Sequence, residues 1–182
     1  RKGARVLCMA FARLKARLPG LQLRFVGRAS DGTRDSLLAL AGVAPVRDSI
    51  EFSGVGNVGS LPAHYHAASV TVLPSVWEAF GLVLVESLAA GTPVVGARHG
   101  GITDVVQGAL VGELFDPGVF DLQSDAAENL AAALLAVLER GKTPEVQAAC
   151  RARAEHFSWR NQGPAYLRLV ESLARPRQRE GG

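Results

Sequence analysis

Residues Ser75 to Val95 read SVWEAFGLVLVESLAAGTPVV, and the residues just before them, Val70 to Leu73, read VTVL. The β-branched run VTVL has the composition of a strand, and Pro74 ends it. The apolar segment after Gly81 is long enough for a helix, and Gly91 and Pro93 stop it. PVVGA, from Pro93 to Ala97, is again a strand. Strand, helix and strand in that order predict parallel pairing, because parallel neighbours require a crossover and the crossover is a right-handed helical return. Within this unit two glutamates, Glu78 and Glu86, flank a Phe-Gly step.

The alternation extends outward in both directions. A helix is expected from about Gly3 to Leu18, with Leu7, Phe11, Leu14 and Leu18 at helical spacing, ending at Pro19-Gly20. LQLRFVG reads as a buried strand ending at Gly27, Arg34 to Leu40 as a helix, SIEFSG as a short strand and LPAHYHAA as a short helix beginning at Pro62. On the other side, GGITDVV reads as a glycine turn into a short helix and GELFDP as a small strand. Asp125 to Leu138 reads as a helix with Leu130, Leu134 and Val137 on one face. Two further helices, Pro144 to His156 and Trp159 to Leu173, complete a domain spanning residues 1–174, and ARPRQREGG makes residues 175–182 a disordered basic tail. The fold class is therefore α/β, a doubly wound Rossmann-like parallel sheet with helices on both faces.

Composition narrows the possible functions. A chain of 182 residues that is 48% hydrophobic can bury a core, which excludes a disordered chain. Twenty Lys and Arg against seventeen Asp and Glu leave a net charge of +3, and the basic residues are scattered rather than striped, so nucleic acid is not an expected partner. Cys8 and Cys150 lack the spacing of a zinc site or a disulfide framework. They read as small core residues in a reducing, cytoplasmic protein. VLCMAFA near the start resembles a signal peptide's apolar stretch, but it is short and Arg13 and Lys15 follow at once. No segment reaches the ~20 apolar residues that span a bilayer. His64, His66 and His99 have no partners at ligand spacing, so no metal site is expected. Trp77 either lines a pocket or covers the edge of the core, and Trp159 reads as a packing anchor for the last helix.

Ligands of such sheets bind beyond the carboxyl ends of the strands. There the loop SVWEAF leads into a helix starting near Gly81, whose first amides lack intrahelical partners and sit at the positive end of the helix dipole. These first amides would thus offer an anion site to a diphosphate, with Gly81 allowing close approach. Glu86 stands about 6 Å further along the axis than Leu82, at ~1.5 Å per residue, where its carboxylate could accept both hydroxyls of a ribose. Glu78, in the loop, could reach toward whatever the phosphate carries. Either glutamate alone would be read as a solvated side chain. The pair is different, because an unpartnered carboxylate within LVLVESLAA would be costly to bury.

These residues carry a resemblance. PSVWEAFGLVLVESLAAGTPVV is similar to the signature of the retaining glycosyltransferases with the GT-B fold called group 1 or family 4, in which two glutamates separated by seven residues precede GxPVV. Lys2-Gly3, LQLRFVG, IEFSGVG, LPAHYHAASVTVLPS, GGITDVV, VGELFDP and HFSW follow in the family's order over nearly the whole chain. The resemblance implies one half of a GT-B fold, the C-terminal half that holds a nucleotide-sugar donor. Glu86 would bind the ribose, Glu78 would face the donor sugar in a positioning and electrostatic role, and the amides of Phe80 to Val83 would meet the phosphates. Lys2 matches the diphosphate-binding lysine, and backbone near Gly54-Val55-Gly56 would contact the base. The donor would be a UDP-, GDP- or ADP-sugar, with no other cofactor and no metal.

In the family a strand ending in GR precedes the Lys-Gly step, and its arginine joins the lysine at the diphosphate. This chain begins at Arg1-Lys2 without Met, so that first strand and the N-terminal acceptor domain are expected to be missing. GRASDG at Gly27 to Gly32 is looser than the family's glycine-acid-glycine turn. An open slot between LQLRFV and VTVL would leave two exposed strand edges and invite a strand-swapped oligomer. Peripheral membrane contact is an expectation attached to the missing domain. Two other functions fit the same architecture: a nucleotide-sugar 2-epimerase, which the spaced glutamates argue against, and a non-catalytic nucleotide-binding module.

Overall fold

The computed structural model describes residues 3–40, 42–54, 58–118 and 125–174. Among these residues, five parallel strands alternate with helices: α1 (Ala4–Lys15), β1 (Leu23–Phe25), α2 (Asp31–Leu38), β2 (Ile50–Phe52), α3 (Leu61–Ala67), β3 (Thr71–Leu73), α4 (Leu82–Ala89), β4 (Val94–Ala97), α5 (Ile102–Val105), β5 (Gly112–Phe115), α6 (Ala126–Arg140), α7 (Pro144–His156) and α8 (Trp159–Ala174). A 3₁₀ turn, Ala44–Ser49, leads into β2. The central unit forms as its sequence requires. β3 pairs in parallel with β4, Thr71 opposite Val94 and Leu73 opposite Gly96, and β4 pairs in parallel with β5. β4 is buried at every residue, as expected of a strand covered on both faces.

Helices cover both faces of this sheet. α1 packs against α6, α4 packs against α7 and α3, and β4 touches both α6 and α4. The apolar stripe of α1 buries Val6, Leu7, Ala10, Phe11 and Leu14, and α6 buries Leu130, Leu134 and Val137 on the face anticipated from their spacing. Cys8 and Cys150 are free thiols with no solvent exposure, and burial pushes each thiol pKa up to about 11.

The strands fall into two ladders, β1-β2 and β3-β4-β5, and among the described residues no hydrogen-bonded ladder joins β1 to β3. β1 departs from the buried strand anticipated for LQLRFVG. Only three residues pair, Leu23 and Phe25 are half-buried, and Arg24 is exposed. The reason lies on β2, where Glu51 stands directly opposite Arg24 in the register and its carboxylate accepts from Arg24 Nε at 2.8 Å. A small second core beneath this ladder holds Cys8, Phe11, Leu37, Val43 and Ile50.

Two further local differences have simple causes. α2 begins at Asp31 rather than Arg34, because the Ser30 hydroxyl caps it by accepting from the Thr33 amide at 3.2 Å. Trp159 is not a packing anchor: it is 79% exposed, and its ring lies 5.8 Å from the Tyr166 ring of its own helix. α8 leaves Tyr166, Leu167, Leu169, Val170 and Leu173 exposed as well. The tail, residues 175–182, lies outside the described residues.

α7 is begun by Thr143, whose hydroxyl accepts from the Val146 amide at 3.2 Å, followed by Pro144 at the first helical position. Thr143→Ala removes that acceptor and is expected to lower stability by about 1 kcal/mol, read as a lower denaturation midpoint at an unchanged slope. An unchanged midpoint would show that the cap contributes nothing.

Candidate functional site

The site is built at the carboxyl ends of β3 and β4. Beyond β3 the chain enters the loop Ser75 to Phe80, fixed from below by the fully buried Ser75, whose hydroxyl donates to the Trp77 carbonyl at 3.1 Å. Beyond β4 it turns at His99-Gly100-Gly101 into α5. The two turns interlock. A Cβ on Gly100 would lie 2.5 Å from the Glu78 carbonyl oxygen, and one on Gly101 would lie 2.3 Å from the Ala79 carbonyl oxygen. Glycine at these positions lets one loop rest directly on the other, and the backbone that carries Glu78 is thereby set in place.

Gly81 then opens α4 from the left-handed region, at φ 88°, which a residue with a Cβ adopts at a cost. The loop is braced at Phe80, whose ring meets Phe157 edge-on at 5.4 Å. Phe157 is held in turn by Arg153, whose guanidinium sits 4.7 Å from the centre of its ring while donating to the Val105 carbonyl at 3.1 Å and to the Asp104 carbonyl. The HFSW segment after α7 therefore supports the entrance to α4, a role that only the fold reveals. Gly3, which caps α1, lies against the Pro74 carbonyl at this same end of the sheet.

One side of α4 carries the core contacts of Leu84, Ser87 and Leu88, and the other exposes Leu82, Val83, Glu86 and Ala89. Glu86 is thus not the costly buried carboxylate that its apolar neighbours suggested, because helical periodicity turns it outward between Leu82 and Ala89. Its distinguishing feature is a specific partner. Tyr65 of α3 donates its hydroxyl to Glu86 Oε2 at 2.7 Å. Burial, and then the adjoining carboxylate, push the Tyr65 hydroxyl pKa well above its ordinary value, so the group stays a donor throughout the physiological range. Nothing in the sequence around LPAHYHAA marked Tyr65 as a site residue.

Glu78 is half-buried, and beside it Trp77 is 61% exposed with its ring 5.8 Å from His99. Trp77 therefore faces the opening between the two loops instead of closing the core. His99 Nδ1 is buried there with no hydrogen-bond partner among the described residues. The structure thus brings together Glu78, Phe80, Gly81, Leu82, Val83 and Glu86. Lys2 and Val55 lie outside the described residues, although the neighbouring Gly54 carbonyl accepts from the Gly27 amide at 2.8 Å and ties the loop after β2 to the end of β1.

Parallel strands flanked by helices, with a glutamate-bearing loop and a helix N-terminus meeting at their carboxyl ends, define an α/β domain of the GT-B type. The chain belongs to the family Glycosyl transferases group 1, whose pattern matches residues 1–156. It is 32% identical over 180 residues to the D-inositol 3-phosphate glycosyltransferase of Mycobacterium tuberculosis H37Rv, a match covering 93% of this chain and 36% of that protein. Sucrose-phosphate synthase from Thermosynechococcus elongatus superposes with a TM-score of 0.73 at 29% identity, over 95% of this chain and 42% of that one. The pneumococcal O-GlcNAc transferase GtfA, solved with UDP and GlcNAc, shares the fold with a TM-score of 0.78 at 21% identity, over 96% of this chain and 34% of that one. The chain therefore spans little more than a third of the length of the curated relative.

Proposed function

We propose that this chain is the donor-binding half of a glycosyltransferase that moves a sugar from a nucleoside-diphosphate sugar to a hydroxyl acceptor with retention of configuration. The observation that carries the reading is the placement of Glu78 and Glu86 on either side of the α4 N-terminus, at the carboxyl ends of β3 and β4. Amides of Phe80 to Val83 hold the diphosphate, Glu86 accepts the ribose hydroxyls, and Glu78 faces the donor sugar as a positioning and electrostatic group. Lys2 contributes charge to the diphosphate and Val55 contributes backbone to the base. No metal or additional cofactor takes part in this scheme. UDP in the GtfA structure supports a nucleotide-sugar donor.

The acceptor is held by the part of the protein that corresponds to the remaining length of the relatives. The exposed apolar face of α8 and the edges of β1 and β3 supply surface for that part to pack against. Free Cys8 and Cys150 fit a cytoplasmic setting, and no helix among the described residues is long and apolar enough to cross a membrane.

A thermal-shift panel of UDP, GDP, ADP and their glucose conjugates tests the reading. One base is expected to raise the melting temperature, since a ligand at a hundred times its Kd stabilises by about 2.7 kcal/mol. The 182-residue chain alone should bind this donor without transferring its sugar, because transfer requires the acceptor to be held against it. No shift with any nucleotide at millimolar concentration, or robust transfer by this chain alone, would overturn the proposal.

A further inference from the structure

α3 has only seven residues, too few to be stable on its own, and it is held in place from outside. The fully buried Thr92 donates its hydroxyl to the Tyr65 carbonyl at 2.7 Å. Lys142 donates its ammonium to the carbonyls of His66 at 2.7 Å and Ala68 at 3.1 Å. Thr92 is itself tied to α4, because the Ser87 hydroxyl donates to the Thr92 carbonyl at 3.1 Å and pairs with the Thr71 hydroxyl at 2.8 Å. The backbone of Tyr65 is thus coupled to the helix that carries Glu86, and the tyrosine hydroxyl reaches the carboxylate from a fixed base.

The chemistry of the contact is selective. Glu86 is exposed, and an exposed glutamate ordinarily samples many rotamers, whose loss on binding a ligand weakens the complex. One hydrogen bond from a neutral phenol restrains the carboxylate beforehand. It leaves the negative charge in place and leaves most of the acceptor sites open, since a carboxylate offers about four. A lysine or arginine in the same place would compensate the charge and could occupy both oxygens.

We infer that Tyr65 is a positioning residue that orients Glu86 toward two adjacent hydroxyls of the ligand, and so sets a preference for ribonucleotides over 2′-deoxyribonucleotides. This rests on the reading of Glu86 as the acceptor for the ribose hydroxyls. Tyr65 touches the carboxylate and acts on the ligand through it.

The test is calorimetric titration of the full-length protein, as wild type, Tyr65→Phe, Glu86→Ala and the double variant, with UDP, GDP and ADP and their 2′-deoxy counterparts. Wild type should prefer the ribonucleotide of the bound base. Tyr65→Phe, which keeps the ring and its packing, should weaken that ribonucleotide roughly 3- to 10-fold. The 2′-deoxy ligand should change by less than about twofold, so that the preference contracts. In the Glu86→Ala background, Tyr65→Phe should have no further effect. If Glu86→Ala abolishes the preference while Tyr65→Phe keeps it whole, or if Tyr65→Phe weakens both ligands equally, the role of Tyr65 is refuted and the ribose reading stands. If Glu86→Ala leaves the preference unchanged, or no nucleotide binds, the ribose reading fails and the inference fails with it.

Discussion

Glu86→Ala is expected to weaken the nucleoside diphosphate and its sugar conjugate alike, by about 1.5–3 kcal/mol, or roughly 10- to 150-fold in affinity. On the proposed reading the loss is shared because both ligands carry the ribose, whose hydroxyls would lose their charged acceptor. Glu78→Ala should behave differently. Glu78 stands in the loop before α4, while Glu86 lies within the helix, and on the proposed reading it would face the sugar and add negative charge near the phosphates. Its removal should spare or slightly tighten the bare diphosphate and weaken only the sugar-bearing donor. Titration of both variants with both ligands, with folding checked by circular dichroism, distinguishes the two roles. Equal losses for both ligands in both variants would mean that the carboxylates only support the fold.

Gly101→Ala should damage stability and donor binding together. The added Cβ would lie 2.3 Å from the Ala79 carbonyl oxygen and 2.7 Å from Phe80 Cα, and both are backbone atoms that cannot rotate away. Gly101 has φ −66°, which alanine adopts freely, so the whole effect comes from the collision. Overpacking of this kind costs about 1–3 kcal/mol. It is relieved by displacing the loop that carries Glu78 and enters α4, so affinity for the nucleotide sugar should fall as well. Gly20→Ala is the control, because a Cβ there meets nothing within 4 Å. Its stability should stay within about 0.5 kcal/mol of wild type. Denaturant unfolding and donor titration measure both effects. A Gly101→Ala protein as stable and as tightly binding as wild type would show that the loops do not bear on each other in solution.

How much of this was legible in the chain differs from element to element. Pro93 to Ala97 could be identified as a strand, found at Val94–Ala97, because apolar composition and the stops at Gly91 and Pro93 are local signals. α7 could be bounded at Pro144 and His156 because its cap and first-turn proline adjoin in sequence. β1 was overestimated, since the burial of LQLRFVG depends on which strands lie beside it, and the exposed Arg24 finds its partner on Glu51 of β2. Trp159 was misjudged because a helix declares its own apolar face but not whether anything covers it.

The same division runs through the site. The order of strands and helices, the helix start at Gly81 and the spacing of Glu78 and Glu86 were all present in consecutive residues, because they follow from backbone propensities and periodicity acting over one or two turns. The environment of Glu86 was not. Helical phase within the packed layer turned it outward, and Tyr65, 21 residues away, supplied its hydrogen bond. The support of the Glu78 loop by Gly100 and Gly101, and of Phe80 by Phe157 and Arg153, likewise emerged only from the folded chain. Local sequence specifies which backbone conformations are cheap, whereas a side chain's partners and exposure depend on segments that chain connectivity leaves distant and that burial of the shared core brings together.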